Sequence, residues 1–159
     1  MREILFRAKR IDNGEWVEGY YLKTTLGKDI EPSDVIFVPF KINRSGQWGW
    51  IKVLPETLCQ FTGMVDKNGR RIWENDIVSC EHEKYPEDNP LEVYPLFPEP
   101  VKYNRNYAVE FINTGSSYGY RLRNKSIHFM ITGNVIYNHK IEAIGNVFDN
   151  PELLKGDAE

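Results

Sequence analysis

Gln60-Phe61-Thr62-Gly63-Met64-Val65-Asp66-Lys67-Asn68-Gly69-Arg70-Arg71-Ile72-Trp73-Glu74-Asn75-Asp76-Ile77-Val78 is the stretch whose reading decides the fold. A β-like run ends at Val65, Asp66 to Gly69 make a turn, and Ile72-Trp73 form a short strand. Glu74-Asn75-Asp76 reverse the chain again before Ile77-Val78 enter the core. Gly63 and Gly69 bracket the first turn, where an aspartate side chain readily bonds its own backbone and a left-handed residue is easily placed. Turn chemistry alone accounts for these Asp, Asn and Glu residues. Asp66, Glu74 and Asp76 are therefore read as turn residues rather than as a convergent acid site, which would need a cleft and a nucleophile or metal.

Upstream, Asn13-Gly14 separates two β-like runs and reads as a type I′ hairpin turn. Centred there, Asp12 faces Glu15, Ile11 faces Trp16, Lys9 faces Glu18, Arg7 faces Tyr20 and Phe6 faces Tyr21. One face then carries Ile4, Phe6, Ala8, Val17, Gly19 and Tyr21, and the other Arg7, Lys9, Glu18 and Tyr20. Val35 to Val38, stopped by Pro39, and Trp48 to Leu54, stopped by Pro55, are two further strands with a turn at Asn43 to Gly46. Pro55-Glu56-Thr57-Leu58 opens a single helical turn with proline at its first position.

Downstream, five of the nine prolines (Pro86, Pro90, Pro95, Pro98 and Pro100) fall within 81–100, where the charge balance is about −5. That proline density excludes a regular element, so 81–100 reads as a long, exposed, acidic loop. Within it, Pro95-Leu96-Phe97-Pro98 has the spacing of a weak polyproline ligand. Strands resume with Tyr107, Val109 and Phe111 alternating against Ala108, Glu110 and Ile112. A turn spans Thr114 to Gly119, and strands are expected at 120–123, 127–131, 135–137 and 141–148. Asn150-Pro151-Glu152 starts a short closing helix, and 155–159 fray.

A chain of 159 residues holds one domain or two small ones and can bury a core without metals or disulfides. Aromatic residues make up 13%, which favours a pleated surface. A net charge of −3 gives no overall pull toward nucleic acid or an anionic membrane. No apolar run approaches the roughly 18 residues of a membrane helix. No leader pattern opens the chain, so a cytoplasmic protein with reduced thiols is expected.

Candidate chemistry is sparse. Cys80-Glu81-His82 with Cys59 matches no common zinc spacing, so Cys80 is read as a buried strand end and His82 as a solvent-facing residue. His82, His128 and His139 lie in separate segments, and no nucleophile elbow or phosphate-cradling glycine pattern occurs. No catalytic residue, cofactor or metal is expected. The one suggestive feature is charge segregation. Residues 101–140 carry about +5, with Glu110 the lone acid and tyrosines interleaved. Lys102, Arg105, Tyr107, Tyr120, Arg121, Arg123 and Lys125 are the candidate interaction surface. An acidic arm beside a basic sheet suits charge-complementary self-association. The alternative is single-stranded nucleic-acid binding through 101–125, by phosphate neutralisation and base stacking.

The blocks Gln60 to Gly63, Asp66 to Gly69 and Ile72 to Val78 resemble the motif of the YopX-like proteins of bacteriophages and prophages. The opening Met1-Arg2-Glu3-Ile4-Leu5-Phe6-Arg7-Ala8 and the closing Ile141 to Leu154 are similar to that family's two ends. The resemblance implies a C-terminal SH3-like β-barrel after an N-terminal β-rich region, and no assigned reaction. Asn75 stands where the family often has glycine, so a positive φ is expected there. The expected architecture is mainly β, α+β at most. It has an N-terminal β-hairpin region over 1–54, an SH3-like barrel over 55–154 and a tail over 155–159. The expected function is a non-enzymatic accessory protein of a phage or prophage in the bacterial cytoplasm, acting on itself as a homo-oligomer and on a host or phage protein.

Overall fold

The aspartate of the 60–78 stretch is the hub of its own turn. Asp66 is buried. Its carboxylate accepts backbone N–H bonds from Asn68 at 2.8 Å, Arg70 at 2.9 Å and Ala143 at 3.1 Å. Gly69 takes the expected left-handed conformation, with φ 79°. The next turn behaves likewise: Asn75 has φ 64°. Its N–H donates to the Val109 carbonyl at 2.8 Å, and its own carbonyl accepts from Val147 N–H at 3.0 Å.

The computed structural model describes residues 3–24, 32–39, 49–84, 99–125 and 127–155. It is mainly β, with strands β1 Phe6–Lys9, β2 Trp16–Thr24, β3 Ser33–Val38, β4 Gly49–Lys52, β5 Cys59–Val65 and β6 Arg71–Trp73. These pair as a six-stranded sheet in the order β4-β3-β2-β1-β5-β6. Strands β7 Asp76–Lys84, β8 Val101–Asn113, β9 Tyr118–Asn124, β10 Ile127–Met130 and β11 Glu142–Asn146 form a five-stranded sheet, in the order β10-β9-β8-β7-β11. Among the described residues no pairing closes either sheet into a barrel. One helix, α1 Gly133–Asn138, and two 3-10 turns, Pro55–Thr57 and Pro151–Leu154, complete the description. Among the described residues no helix is long and apolar enough to cross a membrane.

The chain divides into two units, one of Met1–Met64 with Arg71–Glu74, the other of Val65–Arg70 with Asn75–Glu159. In the first, Ala8, Val17, Ile36 and Val53 form a buried cluster flanked by Phe6, Val38, Ile51 and Leu58. Gly19 is required there, because a Cβ would lie 2.3 Å from the Phe37 carbonyl oxygen. In the second, Ile77, Val78, Val109, Leu122 and Ile141 are fully buried.

Four expectations need correction or fall outside this description. The β1–β2 register pairs Phe6 with Gly19, Arg7 with Glu18 and Lys9 with Trp16, two residues from the predicted one. A type I′ turn needs positive φ at both central residues, and of Asn13 and Gly14 only Gly14 has it. The connection is therefore longer: Arg10 N–H donates to Glu15 O, Gly14 N–H donates to Arg10 O, and Asn13 Oδ1 accepts from Glu15 N–H. A shift of two keeps every side chain on its predicted face, because the pleat repeats every two residues. Second, β7 runs on through Glu81–Lys84, which pair with Val101–Asn104, so the loop begins later than 81. Third, Val135–Tyr137 are helical rather than a strand. Thr132 caps them by accepting from Val135 N–H at 3.3 Å, and this local cap overrides β-branched propensity. Residues 85–98 of the acidic segment, including Pro95 to Pro98, and the turn at 43–46 lie outside the described residues.

Asp66→Ala should orphan the turn's N–H groups and lower stability by on the order of 3 kcal/mol in urea unfolding, with Asp66→Asn losing less. A loss under ~1 kcal/mol would show that the turn does not depend on the carboxylate.

Candidate functional site

Register decides which of the basic and tyrosine residues share a surface. Side chains alternate along β8, so Tyr103, Arg105 and Tyr107 share one face and Lys102 and Glu110 the other. Glu110 pairs with Arg121 and Phe111 with Tyr120. Arg105, Tyr107 and Tyr120 therefore fall on one side of the sheet, and Lys102, Arg121 and Arg123 on the opposite side. Lys125 lies just past β9 with φ 47°. Basic and aromatic residues that interleave along the chain are thus sorted apart in space.

The basic side is extensively ion-paired. Lys102 Nζ lies 3.3 Å from Glu81 and 3.6 Å from Glu83. Arg121 bonds Glu110 at 3.1 Å, and Arg123 Nε donates to the second oxygen of the same carboxylate. Tyr107 and Tyr120, at 1% and 6% exposure, are packing residues and offer no open ring for base stacking. Tyr120 packs edge-on against Phe111, at 5.4 Å between centroids.

On the tyrosine side lies a pocket of about 280 Å³. His82, Tyr103, Arg105 and Tyr107 supply its β7–β8 wall. Ile127 and Phe129 of β10 and His139, which follows α1, supply the rest. His82 is therefore a pocket wall, not the solvent-facing residue predicted. Its ring stacks on Tyr103 at 5.5 Å and lies 5.0 Å from His139, and its Nε2 is 3.0 Å from the Tyr107 hydroxyl. His139 is held from behind. Its Nδ1 is 2.9 Å from the Glu81 carbonyl, and its own carbonyl accepts from Glu81 N–H at 2.7 Å. A carbonyl only accepts, so His139 Nδ1 carries hydrogen and, in the neutral ring, Nε2 presents a lone pair.

Burial, then the neighbouring His139 and Arg105 charges, hold the His82 imidazole below its ordinary pKa. Burial raises the Tyr107 phenol. The buried Cys80 thiol, on the same face of β7, is pushed up to about 12. At neutral pH the pocket thus presents a neutral His82, a protonated phenol and the permanent cation of Arg105. Among the described residues no group of three His, Cys, Asp or Glu side chains is set to hold a metal ion. Arg105 further disfavours a cation here. The meeting of His82 and His139 has no signal in their spacing; it arises from the Glu81–His139 backbone bond.

Two of the pocket's lining residues, Ile127 and Phe129, belong to β10. Among the described residues that strand pairs with β9 alone. It reads Ile-His-Phe-Met, with Ile127 at 44% and Met130 at 38% exposure, and carries no proline or lysine that would blunt an edge.

These features define an all-antiparallel, two-sheet β protein with a small aromatic and cationic pocket at one sheet edge. The chain belongs to the YopX protein family, whose match covers residues 5–155. No curated protein matches it.

The depressed pKa of His82 makes stability depend on pH. The unfolded chain takes up this proton first, so His82 should lower stability as pH falls through the ordinary histidine value, levelling off below the folded one. An NMR titration that places His82 at or above about 6.5 would contradict this assignment.

Proposed function

We propose that this YopX protein is a non-catalytic interaction module of a bacteriophage or prophage that works in the bacterial cytoplasm by pairing with a second copy of itself. The observation that carries the reading is the edge of β10, uncharged and, among the described residues, without a second strand partner. An unpaired strand presents a row of N–H and C=O groups that template another strand. Antiparallel pairing of β10 with its own copy about a two-fold axis satisfies both rows at once and closes the assembly at a dimer. The ion pairs at Lys102, Arg121 and Arg123 move the driving force from complementary charge to backbone pairing and apolar contact. The non-catalytic reading is supported by how reactive side chains are used: Asp66 is engaged by backbone N–H groups, and the Cys80 thiol is buried and protonated. An SH3-like character for the C-terminal unit is supported by its small antiparallel sheet and by the irregularity at Ala143/Gly145 in β11, since bulges bend a sheet toward closure.

Light scattering tests the proposal. At ~100 µM the protein should run at twice the monomer mass, and His128→Lys with Met130→Lys should return it to monomer. A wild-type monomer at that concentration would leave at most ~5 kcal/mol for association and would end the self-pairing reading.

A further inference from the structure

We propose that a second pocket, between the Asp66 turn and helix α1, is a binding site for a neutral oligosaccharide that carries an acetamido group. Its volume is about 800 Å³, within the usual range for small-molecule sites and larger than a single sugar ring requires. Val65, Lys67 and Asn68 line one side, and Ile136, Tyr137 and Asn138 the other. Both sides belong to the second unit.

The two sides are bonded to each other through one buried residue. Ile141 N–H donates to the Ile136 carbonyl at 3.1 Å, and the Ile141 carbonyl accepts from Lys67 N–H at 2.9 Å. The Asp66 carboxylate holds the turn side from within, by its bonds to the N–H groups of Asn68, Arg70 and Ala143. A site built this way is largely formed before a guest arrives, which lowers the ordering cost of binding.

The lining groups set the chemistry of the guest. The Tyr137 ring is 84% exposed, so a guest reaches it from solvent. The negative face of such a ring attracts the polarised C–H groups on one face of a pyranose. Val65, 47% exposed, and Ile136 add an aliphatic patch on which an acetyl methyl can leave water. Asn68 and Asn138 each present an amide, which donates and accepts as sugar hydroxyls and an acetamido group do. Asn68 Nδ2 bonds Glu142 at 3.2 Å, which leaves its Oδ1 to accept. Charge here is already matched. Lys67 lies 2.6 Å from Glu142, and Lys140, which also lines the pocket, lies 2.8 Å from Glu81. An anionic guest would compete with those carboxylates and a cationic one would meet the ammoniums, so a neutral guest is favoured.

NMR titration of the full chain tests this with four probes. Triacetylchitotriose carries sugar rings and acetamido groups, cellotriose the rings alone, N-acetylalanine amide the acetamido group alone, and adenosine a neutral flat base. The expected result is that triacetylchitotriose binds with Kd in the roughly millimolar range or tighter, at least ~5-fold more tightly than each of the other three, and shifts the Val65 and Tyr137 signals. Tyr137→Ala should weaken that binding at least ~10-fold, and Asn138→Ala by a smaller factor. Both side chains are exposed, so the variants should keep the fold, which circular dichroism checks. The proposal is overturned if triacetylchitotriose does not bind at ~10 mM, if any of the other probes binds as tightly, or if the folded Tyr137→Ala protein binds unchanged. The His128→Lys, Met130→Lys protein keeps every lining residue, so this site and the self-pairing edge fail separately.

Discussion

One buried carboxylate organises the second unit. Asp66 gathers N–H groups from its own turn and from Ala143, so a local reversal is bonded directly to β11, far along the chain. Lys67 adds a backbone bond to the Ile141 carbonyl at 2.9 Å and an ion pair to Glu142 at 2.6 Å. Hydrogen bonds to a charged acceptor are the stronger kind, and an acceptor left empty in a buried place is costly. The turn and the start of β11 are therefore held together in the folded chain. From that clip β11 pairs with β7, β7 with β8, and the pocket wall follows.

The turns were legible from residue type because their chemistry is local. Asp66, Gly69 and Asn75 behave as their side chains dictate, and the 3-10 turns at Pro55 and Pro151 begin at their prolines. Face assignment in the first hairpin was also legible, even with the register off by two, because alternation survives an even shift. Helix α1 was missed because β-branched residues dominate Val135-Ile136-Tyr137, and the Thr132 cap weighs more than their propensity. The extent of β7 was missed because the proline-rich composition of 85–100 was extended back over Glu81–Lys84, which are free of proline.

The candidate site was legible only in part. Arg105 and Tyr107 were singled out for charge and aromaticity, and both line the pocket. They were grouped with Lys102, Arg121 and Arg123, which strand alternation sends to the other side. His82 and His139 could not be paired from sequence, since a backbone bond between β7 and the residue capping α1 brings them together. Glu110, noted only as an exception in a basic region, proves to be the shared partner of two arginines.

Glu81 serves two neighbourhoods with separate parts of itself. Its main-chain N–H and C=O hold His139 at the pocket, while its carboxylate sits among Lys102 and Lys140 on the far side of the sheet. Any residue with an amide N–H can make the first set of contacts. The outer charge pattern at this position is therefore free to drift, by mutation or by a change of partner, without disturbing the histidine behind it.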